Sequence, residues 1–191
     1  MADGITIEAL SPARAADLFA FFEGPAFADN PGWGGCYCHF CYFDHAAARW
    51  DPDRGEANKA ASARLITRGV MKGHLAYADG QVVGWVNAAP GASFPPDNIG
   101  GPDPEQDHIG QVLCFVVAPA WRRRGVARGL LDAACAGLKA QGMTIAQANP
   151  RPDAVGDGDN HHGPLGLYLG EGFTQHRRDE ADGSVFVRRT L

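Results

Sequence analysis

Val112-Leu113-Cys114-Phe115-Val116-Val117-Ala118-Pro119-Ala120-Trp121-Arg122-Arg123-Arg124-Gly125-Val126-Ala127-Arg128-Gly129-Leu130-Leu131 runs from an apolar segment through a proline-marked turn to three arginines and a glycine. The apolar segment predicts a strand. Beyond Gly125, residues Val126, Leu130, Leu131, Ala134, Cys135 and Leu138 recur at helical spacing and predict a helix with one apolar face. A strand that feeds a glycine turn and a helix N-terminus presents unpaired backbone N–H groups and the positive end of the helix dipole at one point. Arginines at the same mouth add charge-assisted contacts suited to phosphates. The stretch therefore predicts an anion site for a phosphorylated cofactor.

Spacing narrows the choice of cofactor. A dinucleotide site needs G-x-G-x-x-G opening the helix, whereas this turn offers only Gly125 and Gly129. The lysine of a phosphate-binding Walker loop is also missing. Arg122-Arg123-Arg124-Gly125-Val126-Ala127 instead resembles the [Q/R]-x-x-G-x-[G/A] acyl-CoA-binding motif of the GNAT N-acetyltransferases. It stands where that family has it, after an apolar strand and before an amphipathic helix.

The rest of the chain is consistent with one enzyme-sized unit. Its 191 residues suit a single domain spanning 1–191. Hydrophobic residues make up 45% of it, enough for a packed core. A net charge of −5 argues against nucleic acid or an anionic membrane as partner. No apolar run approaches the roughly 20 residues of a membrane helix. Met1 to Leu10 lacks the basic and apolar regions of a signal peptide, so a cytoplasmic protein is expected. Five cysteines, an odd number, suggest free thiols.

Read in order, Ile5, Ile7 and Ala9 alternate as a first strand, and Ser11-Pro12 opens a helix through Leu18, Phe19 and Phe22. Phe27 to Trp50, rich in glycine, proline and aromatics, reads as an ordered loop. A second helix is expected from Arg54 to Arg68. His74 to Ala78 and Gln81 to Ala88 form a hairpin about Asp79-Gly80. Gly91 to Asp107 is a long proline-rich loop. Then come a strand from Gln111 to Val117, a helix from Gly125 to Gln141, and a strand from Thr144 to Ala148. The polar loop of Arg151 to Gly163, a short helix through Tyr168 and two final strands complete the chain.

That order is similar to the GNAT fold. Leu167-Tyr168-Leu169-Gly170-Glu171-Gly172-Phe173 is similar to the family's L-Y-x-x-x-G-F near the C-terminus, a second match in the right place. The resemblance implies an α/β (α+β) fold with a mixed, mostly antiparallel sheet of about six to seven strands and about four flanking helices. It implies two splayed parallel strands at the acyl-CoA site. Acetyl-CoA is then the cosubstrate and an amine the acceptor, with direct transfer between them; a homodimer is compatible with it. By position, Phe115, Val116 and Val117 would hold the pantetheine arm, and the backbone from Arg122 to Arg128 (Arg122, Arg123, Arg124, Gly125, Val126, Ala127, Arg128) would wrap the pyrophosphate. Asn160 would also contact the pantetheine. Tyr168 matches the family's general acid, and a phenol stays protonated at neutral pH as that role demands.

A general base is harder to name. His108, near the start of the strand before the turn, has the right intrinsic pKa, with Glu105 and Asp107 as alternatives. On the acceptor side, Trp33, Tyr37 and Cys38 are the candidates, because the W-x-G-C-Y-C stretch is similar to one in related sequences. Cys36-x-Cys38-x-x-Cys41, with His39 and His45 nearby, also admits a zinc-stabilised interaction module. The absence of a second knuckle and the surrounding aromatics favour no metal. His161-His162 beside Asp157 and Asp159 is read as a solvated polar cluster. A protein that binds acyl-CoA without efficient catalysis is the remaining alternative.

Overall fold

Residues 4–51, 54–152, 154, 156, 160–180 and 183–191 are described by the structure, a computed structural model. The strands are β1 (Ile5–Ala9), β2 (Gly73–Ala78), β3 (Gln81–Pro90), β4 (Ile109–Val117), β5 (Ile145–Ala148), β6 (Thr174–Arg178) and β7 (Val185–Thr190). They form a seven-stranded sheet in the order β1-β2-β3-β4-β5-β7-β6. Every neighbouring pair is antiparallel except β4 and β5, which run parallel. The helices are α1 (Ala15–Glu23), α2 (Gly55–Thr67), α3 (Val126–Ala140) and α4 (Leu165–Gly170). No helix among the described residues is long and apolar enough to cross a membrane.

Helix α3 lies on one face of the sheet because its apolar stripe permits nothing else. Val126, Leu130, Leu131, Ala134, Cys135 and Leu138 are all buried in one cluster with Val86, Val112, Phe115 and Ala146. Its N-terminal turn comes so close to β3 that a Cβ on Gly84 would stand 2.9 Å from Val126 Cγ1. The opposite face is covered by α1, through Leu18, Phe21 and Phe22, and by Ile66 of α2, around Trp85 and Leu75.

Helix α2 buries two polar side chains, and both hold the loop that follows α1. Asn58 donates to the Gly35 carbonyl (2.9 Å), and Ser62 Oγ donates to the Tyr37 carbonyl (2.8 Å). Between its 3₁₀ turns at Pro31–Cys36 and His39–Tyr42, this loop turns through Tyr37 (φ 48°) and Cys38 (φ 59°). Two consecutive left-handed non-glycine residues cost roughly 1–2 kcal/mol each and persist only where the surroundings fix them.

Two features of β4 prepare the site. Asn87 faces Cys114 while Ala88 faces Val112, so Leu113 is an extra residue that bulges from the β3–β4 ladder. After the bulge, Phe115 joins the cluster under α3, and Cys114 and Val116 join the one under α1 and α2. The parallel pairing with β5 ends at Val112 opposite Ala148. Beyond that point the two strands separate.

Candidate active site

The turn between β4 and α3 has the geometry that an anion requires. Arg123 (φ 60°) and Gly125 (φ 81°) are both left-handed, which rolls the chain back onto the helix. Gly125 is the N-cap of α3, and no side chain caps the helix there. The first-turn N–H groups are therefore left to an external acceptor. A Cβ on Gly125 would meet nothing within 4 Å, so the mouth is open.

The four arginines divide the work. Arg122 is turned away from the mouth: its Nε donates to the Val117 carbonyl (3.1 Å), and its two terminal nitrogens grip Asp29 at 2.5 and 3.1 Å. That grip holds the Asp29 carboxyl below its usual range, chiefly through the guanidinium hydrogen bond. Arg128 pairs with Glu171 at 2.6 Å, and the Arg124 guanidinium lies 5.2 Å from the Trp121 ring centre. Arg123 and Arg124 are the exposed pair beside the helix start. Val126 is buried and Ala127 half-buried, so both offer backbone rather than side chain to the turn.

Where β4 and β5 separate, the loop before α4 comes in. The Phe115 N–H donates to the His161 carbonyl (2.6 Å), and the Tyr168 hydroxyl donates to the His162 carbonyl (2.7 Å). Tyr168 is fully buried, edge-on to Phe115 and Phe173. Burial, with Cys135 and Cys114 nearby, raises its phenol well above the usual value. His162 receives the opposite push, down to about 3, from burial first and then from His161 and Arg151. Its Nδ1 lies 2.8 Å from Asn149 Oδ1.

Several sequence candidates stand elsewhere. His108 is exposed at the N-terminal end of β4, seven residues or about 23 Å along the strand from Phe115. It ends the 3₁₀ turn Gln106–His108, just before β4 begins at Ile109. Glu105, on the same side, pairs with Arg188 at 3.0 Å. Asn160 donates to the Gly156 carbonyl (3.2 Å), and Asp157 and Asp159 lie outside the described residues.

Tyr37 is buried against Phe19 and Phe22 with its hydroxyl on Glu23 (2.9 Å), so it packs the loop instead of lining a pocket. Of the three acceptor-side candidates only Trp33 is exposed, its ring 4.8 Å from that of His161. Cys38 is buried under Trp85, and its sulfur accepts from Trp85 Nε1 (3.3 Å) and Asn87 Nδ2 (3.2 Å).

The zinc reading finds no support: among the described residues no three His, Cys, Asp or Glu side chains are placed to hold a metal ion. The Cys38 lone pairs face donors, His39 Nδ1 faces Asn58 (3.3 Å), and His45 Nε2 faces the Phe40 carbonyl (3.1 Å).

Trp85, expected from the sequence to be a packing residue, is one, and buried polar side chains not singled out there lie on the neighbouring strands. Trp85 and Asn87 share a face of β3 through strand alternation, and an asparagine within Val-Val-Gly-Trp-Val-Asn-Ala-Ala was the available signal. Gln111 and Gln147 are buried on the paired part of β4 and β5, where Gln147 accepts from Arg188 Nε (2.7 Å). They border a cavity of about 270 Å³ together with Gln106 and Arg177.

Comparison with known proteins agrees with this fold. The model of the acetyltransferase (GNAT) family matches residues 39–156, more than half of the chain; the Tyr168 stretch lies beyond the match. No curated protein matches in sequence. Among solved structures, the yncA structure from Salmonella typhimurium, which carries its cofactor acetyl-CoA, is similar with a TM-score of 0.59 at 14% identity, covering 99% of this chain and 95% of that one. The paia N-acetyltransferase of Thermoplasma acidophilum, in complex with coenzyme A, gives 0.58 at 17%, covering 98% and 99%. The GNAT domain of S. lividans PAT gives 0.60 at 20%, covering 97% and 89%. At these identities the structures speak for the fold, and the family model for descent: this chain belongs to the GNAT acetyltransferase family.

Proposed function

We propose that this chain, acting as one domain over residues 1–191, transfers an acetyl group from acetyl-CoA directly to an amine. One observation carries the reading. The uncapped start of α3, reached through the left-handed Arg123 and Gly125, opens beside the point where β4 and β5 part. An anion seat and a parting of parallel strands side by side suit a donor with a pyrophosphate at one end and an amide-rich arm at the other. The solved relatives that hold acetyl-CoA or coenzyme A support that choice of donor.

In this scheme the helix N-terminus with Arg123 and Arg124 receives the pyrophosphate, and the outward edge of β4 at Phe115 to Val117 pairs with the arm. Arg122 positions the turn through Val117 and Asp29. The neutral amine attacks the thioester carbon, the bond to sulfur breaks, and the proton that the nitrogen sheds leaves to solvent, from which the phenolate left on Tyr168 is reprotonated. Tyr168 gives its proton to the departing sulfur, a role for which a phenol held protonated by burial is suited. Both groups that meet the donor are bonded to the His161 and His162 carbonyls in this structure, so donor entry exchanges those two bonds. His108 has no part in the scheme.

Thiol release from acetyl-CoA across a panel of amines tests the reading. Release that depends on one amine class, and falls at least about tenfold in Tyr168→Phe while donor binding persists, is expected from the loss of one proton donor. Release by none of the amines despite tight donor binding would favour a silent acyl-CoA binder.

A further inference from the structure

The cavity against the paired half of β4 and β5 has a polar floor and a cationic wall. It encloses about 270 Å³ and is lined by the segment from Ile99 to Asp103, by Gln111 and Gln147, and by Arg177 of β6. Val112, Ala146 and Ala148 belong to the cluster under α3, so strand alternation turns Gln111 and Gln147 to the opposite face. Both glutamines are buried, at 3% exposure each, whereas Gly100 and Pro102 are exposed. The cavity therefore runs from the surface of the β3–β4 connection down to the sheet.

Its polar groups are fixed in place with hydrogen bonds left over. Arg177 Nη2 donates to the Gly100 carbonyl (2.7 Å), and the guanidinium lies 3.7 Å from the Phe186 ring centre. A Cβ on Gly100 (φ 92°) would stand 2.2 Å from that nitrogen, so only glycine lets the chain come so close. Most of the guanidinium N–H donors remain unused, and no carboxylate among the described residues pairs with them. Asp103 and Glu105, in the same connection, are both taken by Arg188, whose Nε also holds Gln147 Oε1 (2.7 Å). Gln147 Nε2 has only long contacts, to the Ile99 carbonyl (3.5 Å) and Gln111 Oε1 (3.4 Å). The Gln111 NH₂ donates to nothing among the described residues.

Buried amide donors cost free energy until an acceptor meets them. Water can serve the amides, but it leaves the Arg177 charge uncompensated. A carboxylate answers both, because it accepts several N–H bonds at once and matches a guanidinium. A volume of about 270 Å³ lies just below the range of drug-sized ligands and suits one the size of an amino acid. Gln111 faces Gln147 in the pair before Val112 and Ala148, the last one made. The floor thus ends about 3.3 Å short of the parting of the strands. In the proposed transfer the donor arm runs along β4 from Val117 to Phe115, so its thioester end nears that parting from the other side.

We propose that this cavity is the acceptor seat, and that the acceptor is an amine of amino-acid size that carries a carboxylate. Arg177 takes the carboxylate, the Gln111 and Gln147 amides flank it, and the amine lies toward the parting. The chemistry is that of the transfer already written: the N–C bond forms, the C–S bond breaks, the nitrogen's proton leaves to solvent, and Tyr168 protonates the sulfur. The amine's fate rests on the acetyl-transfer reading, whereas the carboxylate seat stands without it.

Thiol release from acetyl-CoA is measured with each common α-amino acid and β-alanine, beside the matched amine that lacks the carboxyl group. Expected is release with at least one amino acid, and kcat/KM at least about tenfold lower with its matched amine, the usual loss of a charge-assisted contact. Arg177→Gln should raise KM for that amino acid at least about tenfold, with kcat and acetyl-CoA affinity within about twofold, and Arg177→Lys should recover part of the loss. A merely structural Arg177 would move the thermal midpoint and affect the matched amine equally. Matched amines that serve as well as amino acids, or an unchanged KM in Arg177→Gln, would overturn the proposal and leave acetyl transfer standing. Silence of every amine would instead count against the transfer reading, and thermal shift with the amino acids alone then judges the seat. Midpoints raised in wild type and not in Arg177→Gln support it; midpoints raised in neither, or equally in both, overturn it.

Discussion

The proton on Tyr168 and the absence of one on His162 follow from the same cause, burial without a compensating charge. For His162 this has a consequence for stability with a definite sign. Its folded pKa of about 3 lies below the ordinary 6.5, so the unfolded chain binds a proton that the folded chain refuses. Stability is therefore expected to be intact above about pH 6.5 and to fall as pH drops toward about 3, by up to about 1.4 kcal/mol per unit. Urea titrations of wild type and His162→Phe should diverge in that window, and parallel curves would contradict it. At this scale the sequence was a partial guide. The short helix that carries Tyr168 was legible from its motif, but Arg122, Tyr37 and Cys38 look alike as exposed ligands or packed residues until their partners are known, and those partners are Asp29, Glu23 and Trp85.

Helix α3 and strand β4 show which elements a sequence can specify. The helix was readable because six apolar residues keep its period, and all six are buried where that period placed them. The bulge was not. Val112-Leu113-Cys114-Phe115 is apolar throughout, with no alternation to show that Leu113 is extra or that Cys114 and Phe115 face opposite sides. The packing of α3 on β3 depends on Gly84, where a Cβ would also approach Leu130 Cδ1 to 3.1 Å. Gly84→Val should cost about 1–3 kcal/mol through overpacking, read as a lower thermal midpoint. An unchanged midpoint would mean that the helix does not sit so close.

Across the whole molecule, the proposed donor site depends on the parallel pair β4–β5 inside an otherwise antiparallel sheet. Its strands are joined from Ile109 to Val112 and apart beyond, so one end is closed by pairing, while at the other the Phe115 N–H meets the His161 carbonyl. His108 stands at the closed end, and His108→Ala should leave amine-dependent thiol release within about twofold of wild type, as expected for an exposed side chain outside the machinery. A loss on the scale of Tyr168→Phe would return it to the reaction. The element order was legible because helical and strand periods alternate cleanly along the chain, whereas the ends of the sheet at which particular side chains land are set by register, which no local pattern records. Calorimetric titration of the chain with acetyl-CoA tests the donor seat most directly. One saturable site per chain, weakened at least about tenfold when Arg123 and Arg124 are both changed to Glu, is the result expected of charge-assisted phosphate contacts at the start of α3. Absence of binding, or equal affinity in the Arg123→Glu/Arg124→Glu chain, would contradict it.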